Sequence, residues 1–438
     1  MHNKNILIIT PFFAPETHAA VFRAHKLVKY LKREGWKPIV ITVDTNYNYN
    51  EDVTLLMDLE GVEIHRTKYI EPSFRGLYMW LSGKDRTFKT LKAEGFFKEN
   101  DNSNSINYKS KLSIRQRAYN FLLENWLNVP DRFWTWKKST IKRANKLIKE
   151  KNIHFVYTTM PPFTTGNIGL EIKKQNPNVK WIADFRDPLT TVLRNHSGID
   201  HVYFKQRKIK HNVVAKSDVV ITASLAHKNI LHDIFKGEYF EKIHFIPTGL
   251  DNDFQVSNSD NEEDTILYSG EYLIENGFYI FDLITQYNSK SNFKIKLKII
   301  GNKEINYKII KENLDNIKSL EDVDFLDHLP QKELYKEIVK AKACLLISEG
   351  RWWCSFAKMV DYIALKKPVI ALVPEISEAK TQLTKANLGV FLTNDIDQDL
   401  VILTNVFKKS ETKPNIEFCS SYLATSQTNS FIKIISNL

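Results

Sequence analysis

At 438 residues the chain is longer than one hydrophobic core usually serves, so two domains are expected, and its 43% hydrophobic and 26% charged residues are those of an ordinary globular protein. Its 3 cysteines, Cys344, Cys354 and Cys419, form no CxxC pair, and no His cluster has zinc-like spacing; neither a disulfide framework nor a metal site is indicated, and a reducing cytoplasm fits best. A net charge of +11 with a pI near 9.1 calls for a polyanionic neighbour, whether nucleic acid, anionic membrane or phosphorylated substrate.

The basic residues are dispersed and carry no recognisable reader motif, which argues against nucleic acid. Nowhere does an apolar run reach the ~18 residues of a spanning helix. The opening MHNKNILIITPFF is too short in its apolar part for a signal peptide and reads as a first buried strand.

That strand is expected at Ile6–Thr10. Ala20, Ala24, Val28 and Leu31 then share one helical face, Gly35 stands at a helix C-cap position, and Ile39–Val43 completes a β-α-β unit. Further strands are predicted at Val62–His65, His154–Thr159, Trp181–Phe185, Val219–Ala223 and Ile243–Pro247. A polar, acidic linker follows over 251–264, and a second alternation has strands at Ile266–Ser269, Ile295–Ile300, Val323–Leu326, Cys344–Ile347, Val369–Val373 and Gly389–Leu392. The pattern predicts an α/β chain of two tandem Rossmann-like domains, 1–250 and 265–415, with the active-site cleft between them. A helical segment over 416–438 could return to pack on the N-terminal domain.

Candidate site residues stand at predicted strand ends. One strand runs into Met160, Pro161 and Pro162, with Thr164 just beyond, and the next into DFRDP, which places Asp184, Arg186 and Asp187 where open α/β sheets bind ligands. The other reading of this Asp-Arg pattern is a charge pair that ties a loop to a helix. The first β-α turn, PFFAPETHAAVFR, lacks GxGxxG, and the chain lacks GxxxxGK[ST]; dinucleotide oxidoreductases and P-loop phosphotransferases lose their support. Glu16 and Arg23 flank that opening.

These residues carry a resemblance. PxxAPExxAAxxR, the segment Asp131–Thr165, DFRDP, SDVVITASLAHKNIL, IHFIPTGLD, ILYSG and SFAKMVDYIALKKPVIALVPE resemble, in order and spacing, retaining glycosyltransferases of family 4, which have the GT-B fold. The resemblance implies transfer of a sugar from a nucleotide-sugar donor, held by the C-terminal domain, to a saccharide or lipid-linked acceptor in cell-surface polysaccharide biosynthesis. No cofactor is expected, and the lack of a DxD-type carboxylate pair and of His or Cys clusters predicts a mechanism that needs no metal. Asp361, seven residues before Pro368, matches the family carboxylate that holds the ribose, and Gly270, Ser355 and Lys358 match its diphosphate region. The chain departs from the family pattern at Glu271 and Asn276, and Glu349 stands twelve residues before Asp361 rather than eight. Arg351, Lys358 or Arg186 could supply the displaced phosphate cation. A nucleotide-sugar 2-epimerase of the same fold and a non-catalytic transferase-like binding protein are the alternatives.

The segment 71–117 interrupts the alternation and is long for a connection. It holds ten Lys or Arg against five Asp or Glu, interleaved with Phe74, Leu77, Tyr78, Met79, Trp80, Leu81, Phe88, Phe96 and Phe97. Such a mixture suits an anionic lipid surface, which would make the protein peripheral at the inner face of the plasma membrane. Packing of these rings within the domain or in a dimer is the alternative.

Overall fold

A computed structural model describes residues 4–17, 19–45, 51–73, 76, 114–188, 200–254, 263–313, 320–348, 350–408 and 413–438. The nine apolar residues named in 71–117, and Glu349, lie outside the described residues.

Among the described residues thirteen strands are found where the sequence predicts them, in two sheets. The first has seven strands in the order β3-β2-β1-β4-β5-β6-β7: β1 Asn5–Ile9, β2 Lys37–Val43, β3 Glu63–Thr67, β4 Phe155–Met160, β5 Lys180–Phe185, β6 Val219–Thr222 and β7 Ile243–Phe245. The second has six, in the order β10-β9-β8-β11-β12-β13: β8 Glu263–Ser269, β9 Lys296–Ile300, β10 Val323–Leu326, β11 Ala341–Ile347, β12 Val369–Leu372 and β13 Gly389–Phe391. β8 therefore starts within the segment read as linker. All pairings between these strands are parallel.

Parallel strands covered on both faces must be apolar on both, and β1 and β4 are continuous buried runs for that reason. Helices supply the cover. In the helix Val21–Arg33 the predicted face is the buried one, with Ala24, Val28 and Leu31 wholly enclosed, and Gly35 takes the left-handed conformation (φ 74°) just after its end. The helix Phe163–Gln175 approaches β5 closely because residue 169 is glycine; a Cβ there would stand 2.3 Å from the Trp181 ring.

The chain divides into two units. The first comprises Met1–Ala223, Lys228–Phe245 and Ile432–Leu438, and the second Ser224–His227 and Ile246–Phe431. In each sheet the strand order reverses once, between β1 and β4 in the first and between β8 and β11 in the second. At such a reversal the connecting segments leave in opposite directions and open a crevice beyond the carboxyl ends of the strands. Glu16, Thr164, Gly270 and Lys358 follow these strands, while Asp184, Arg186 and Asp187 stand at the end of the adjoining β5.

Candidate functional site

In the first unit Asp184, near the end of β5, is wholly buried and does not face a ligand. Arg23 binds it through Nη2 to Oδ1 at 2.7 Å and Nε to Oδ2 at 2.9 Å, while the Tyr157 and Thr159 hydroxyls donate to Oδ2 at 2.7 and 2.9 Å. The carboxylate's acceptor positions are taken up, so the alternative reading, a pair tying one element to another, describes Asp184 and Arg23. Burial alone would lower the Arg23 pKa and the adjoining Asp184 reverses this, holding it above its ordinary value. Tyr157 is driven well above its ordinary value by burial and by Asp184.

Thr164 is also enclosed. Its backbone N–H and hydroxyl both donate to Asp131 at 2.8 Å, which caps the helix that begins after Pro162. Pro162 is buried at that helix's N-cap. The polar groups of Thr164 and Arg23, which the sequence places at the acceptor side, are thus engaged inside the domain.

Arg186, Asp187 and Glu16 reach further out. The Arg186 guanidinium lies 5.7 Å from the Phe12 ring centroid, donates from Nη2 to the Pro161 carbonyl at 3.2 Å, and pairs through Nε with the half-exposed Asp187 at 3.3 Å. Its Nη1 is enclosed with no hydrogen-bond partner among the described residues. Glu16, half-buried beyond β1, has its pKa pushed up to about 7 by burial; Arg132 opposes the shift and Glu51 adds to it.

In the second unit β8 ends at Ser269, and Gly270 turns the chain at φ 113°, a conformation side chains avoid. The Lys358 Nζ lies 3.7 Å from where a Cβ of residue 270 would stand and 3.6 Å from the Tyr268 ring centroid. Burial, and then the neighbouring Arg351, push the Lys358 pKa down to about 7. Arg351 follows β11 and packs its guanidinium 5.4 Å from the Phe356 ring. Lys358 is the second residue of the helix Ala357–Ala364, with Ser355 half-buried just before the N-cap Phe356. Asp361 lies three residues after Lys358, on the same helical face, and accepts a hydrogen bond from the Tyr335 hydroxyl at 3.2 Å.

This second cluster suits a phosphorylated ligand chemically. Lys358, in the first turn of a helix, stands at a strand end that has no side chain, Arg351 is near enough to act on it, and a carboxylate stands one turn along the helix to accept hydroxyl hydrogen bonds. Sequence reasoning missed the residues that hold these groups: Tyr157 and Thr159 on Asp184, Asp131 on Thr164, Tyr335 on Asp361, and Tyr268 beneath Lys358. The alternation of Tyr157 and Thr159 along β4 was a signal, since residues two apart in a strand share a face. The others come from distant parts of the chain.

No family model matches the chain, and no curated protein matches it in sequence. Solved structures do match. Anabaena HepE in complex with UDP and glucose is 10% identical, with 100% of each chain covered and a TM-score of 0.60. The lipopolysaccharide outer core galactosyltransferase WaaB is 11% identical, with 99% of this chain and 100% of that one covered and a TM-score of 0.58. A protein assigned as a UDP-N-acetylglucosamine 2-epimerase in Listeria monocytogenes is 11% identical, with 100% and 96% covered and a TM-score of 0.55. At such identities the likeness establishes the fold, and the chain has the two-domain, Rossmann-like GT-B fold.

Proposed function

We infer that the chain is a nucleotide-sugar-dependent glycosyltransferase. The observation that carries this reading is the placement of Lys358 and Asp361 on one helical face beside Gly270, with Arg351 near. Lys358, Arg351 and the helix amides would receive the diphosphate, and Asp361 the ribose hydroxyls. As the sugar–phosphate bond breaks, negative charge grows on the leaving diphosphate, and preorganised cations in a water-poor site stabilise that charge more than the ground state. This role needs no metal, and activity is expected to survive chelation. Arg186 and Asp187 would orient the acceptor, with Glu16 on the same side.

Retention of configuration and membership of family 4 follow from the sequence resemblance, as does an acceptor that is a saccharide or lipid-linked sugar of cell-surface polysaccharide. On this reading the enzyme works in the cytoplasm at the inner face of the plasma membrane, with 71–117 as a lipid contact. Among the described residues no helix is long and apolar enough to cross a membrane.

The likeness to the Listeria 2-epimerase supports a second reading, epimerisation of the nucleotide sugar itself. Thermal shift against a panel of nucleotide sugars identifies the donor, since a ligand at 100 times its Kd adds roughly 2.7 kcal/mol of stability. Product analysis with and without acceptor then separates the readings. A transferase needs the acceptor, an epimerase turns over without it, and failure of every nucleotide sugar to bind removes both.

A further inference from the structure

The helix Ile114–Leu122 and the π-helical turn Leu123–Leu127 that continues it turn large apolar side chains outward. Phe121 is 61% exposed, Leu122 51%, Trp126 70% and Leu127 41%; nearby, Trp134 is 46% and Phe204 61% exposed. Hydrogen bonds stitch the segments that bear them into one surface. The Trp134 indole donates to the Leu127 carbonyl at 2.6 Å, His201 Nε2 lies 2.8 Å from the Asn125 carbonyl oxygen, and Gln206 donates to the Pro130 carbonyl at 2.8 Å. The His201 and Trp126 rings lie 5.9 Å apart. One such side chain in water needs no explanation, but six on adjoining segments form a patch that water disfavours.

The charge around the patch is mostly positive. Arg117, Arg132, Lys205, Arg207 and Lys208 are exposed, whereas the carboxylates of 117–134 and 201–208 are the exposed Glu124 and the half-buried Asp131, which is held at its helix cap. We propose that this face, 117–134 with 201–208, docks on an anionic lipid bilayer. Rings and leucines would enter the headgroup boundary, and the cations would meet the lipid phosphates. A nucleic acid would satisfy the cations but leave Leu122 and Leu127 in water. A two-fold contact with a second copy would set the same cations against one another. The inference does not depend on the transferase reading, and of the segment 71–117 it uses only Arg117.

Co-sedimentation of the full chain with vesicles tests it, using phosphatidylcholine alone and phosphatidylcholine mixed with phosphatidylglycerol. Binding is expected to the anionic vesicles and not the neutral ones, and to weaken as salt screens the charges. The double variant Trp126→Ser, Phe204→Ser should lose roughly tenfold or more of this binding. Ile376→Ser, which removes another side chain that is 85% exposed, should retain it. Equal melting temperatures show that each variant folds. No binding, equal binding to both vesicle types, or full binding by the double variant overturns the proposal. So does a dimer in sedimentation velocity that the double variant dissociates, since the face would then serve self-association.

Discussion

Arg23 and Asp184, 161 residues apart in sequence, close a two-point ion pair inside the first unit. Arg23 belongs to the helix that follows β1, and Asp184 stands next to last in β5, so the pair fastens the turn after β1 to the sheet across β4. Tyr157 and Thr159, both on β4, hold the same carboxylate from below. Arg186, two residues further along, therefore projects from a fixed base.

Asp184→Asn leaves Arg23 buried without its counter-charge, and truncating one partner of a buried pair costs about 3–5 kcal/mol. The urea midpoint should fall accordingly. Replacing both residues, Arg23→Met with Asp184→Leu, should restore part of the loss because no charge is then left in the interior. A single variant within 1 kcal/mol of wild type would mean that the pair is better hydrated than its burial indicates.

The fold was legible because parallel strands announce themselves as short apolar runs and their helices as one apolar face. Ile6–Ile9 and Ala24–Leu31 illustrate both signals; boundaries slipped by one to three residues, at starts such as that of β8 at Glu263 and β11 at Ala341 and at ends such as that of β7 at Phe245. Side-chain partnerships were less legible. DFRDP shows that charges stand at a strand end, but not that the first carboxylate turns in to Arg23 while the Arg186–Asp187 pair turns out, since that depends on groups brought from β4 and from the helix after β1. Lys358 was recognisable from its motif; its depressed pKa was not, because the neighbouring Arg351 and the burial responsible are tertiary.

Asp361→Ala is expected to abolish measurable binding of nucleoside diphosphates while leaving the melting temperature close to that of wild type, because the carboxylate is half-buried and lies outside the hydrophobic core. Tyr335→Phe removes the hydroxyl that positions this carboxylate and should weaken binding by about 1 kcal/mol, roughly fivefold. Calorimetry reads both. Unchanged affinity in Asp361→Ala would remove the ribose-binding role.

Lys358 predicts a pH signature. Its pKa of about 7 lies below the ordinary 10.5, so between these values the folded chain has released a proton that the unfolded chain still holds, and stability should rise with pH through that window. A bound diphosphate favours the charged amine, so binding above about 7 must take up a proton. Affinity for uridine diphosphate should then fall, by at most tenfold per pH unit, as pH rises from about 7 to about 9. Lys358→Met should bind more weakly and lose this slope, with the ligand's own titration common to both proteins. Parallel pH profiles for the two proteins would exclude Lys358 from the diphosphate site.

Glu16 gives the opposite sign. Its pKa of about 7 exceeds the ordinary 4.5, so between these values the folded chain retains a proton that the unfolded chain releases, and stability falls as pH rises through that window. The cost of burying the carboxylate is complete above about 7, where Glu16 is charged in a half-buried position and Arg132 compensates only in part. Glu16→Gln keeps the shape and removes the charge. It should be more stable than wild type by about 1–2 kcal/mol near pH 8, allowing for partial solvent screening, and nearly equal to it near pH 4. Urea midpoints at the two pH values measure this. If Glu16 also receives the acceptor's hydroxyl proton, the same substitution lowers turnover and flattens its rise between pH 6 and about 8, whereas a purely structural carboxyl would leave the pH profile of turnover unchanged.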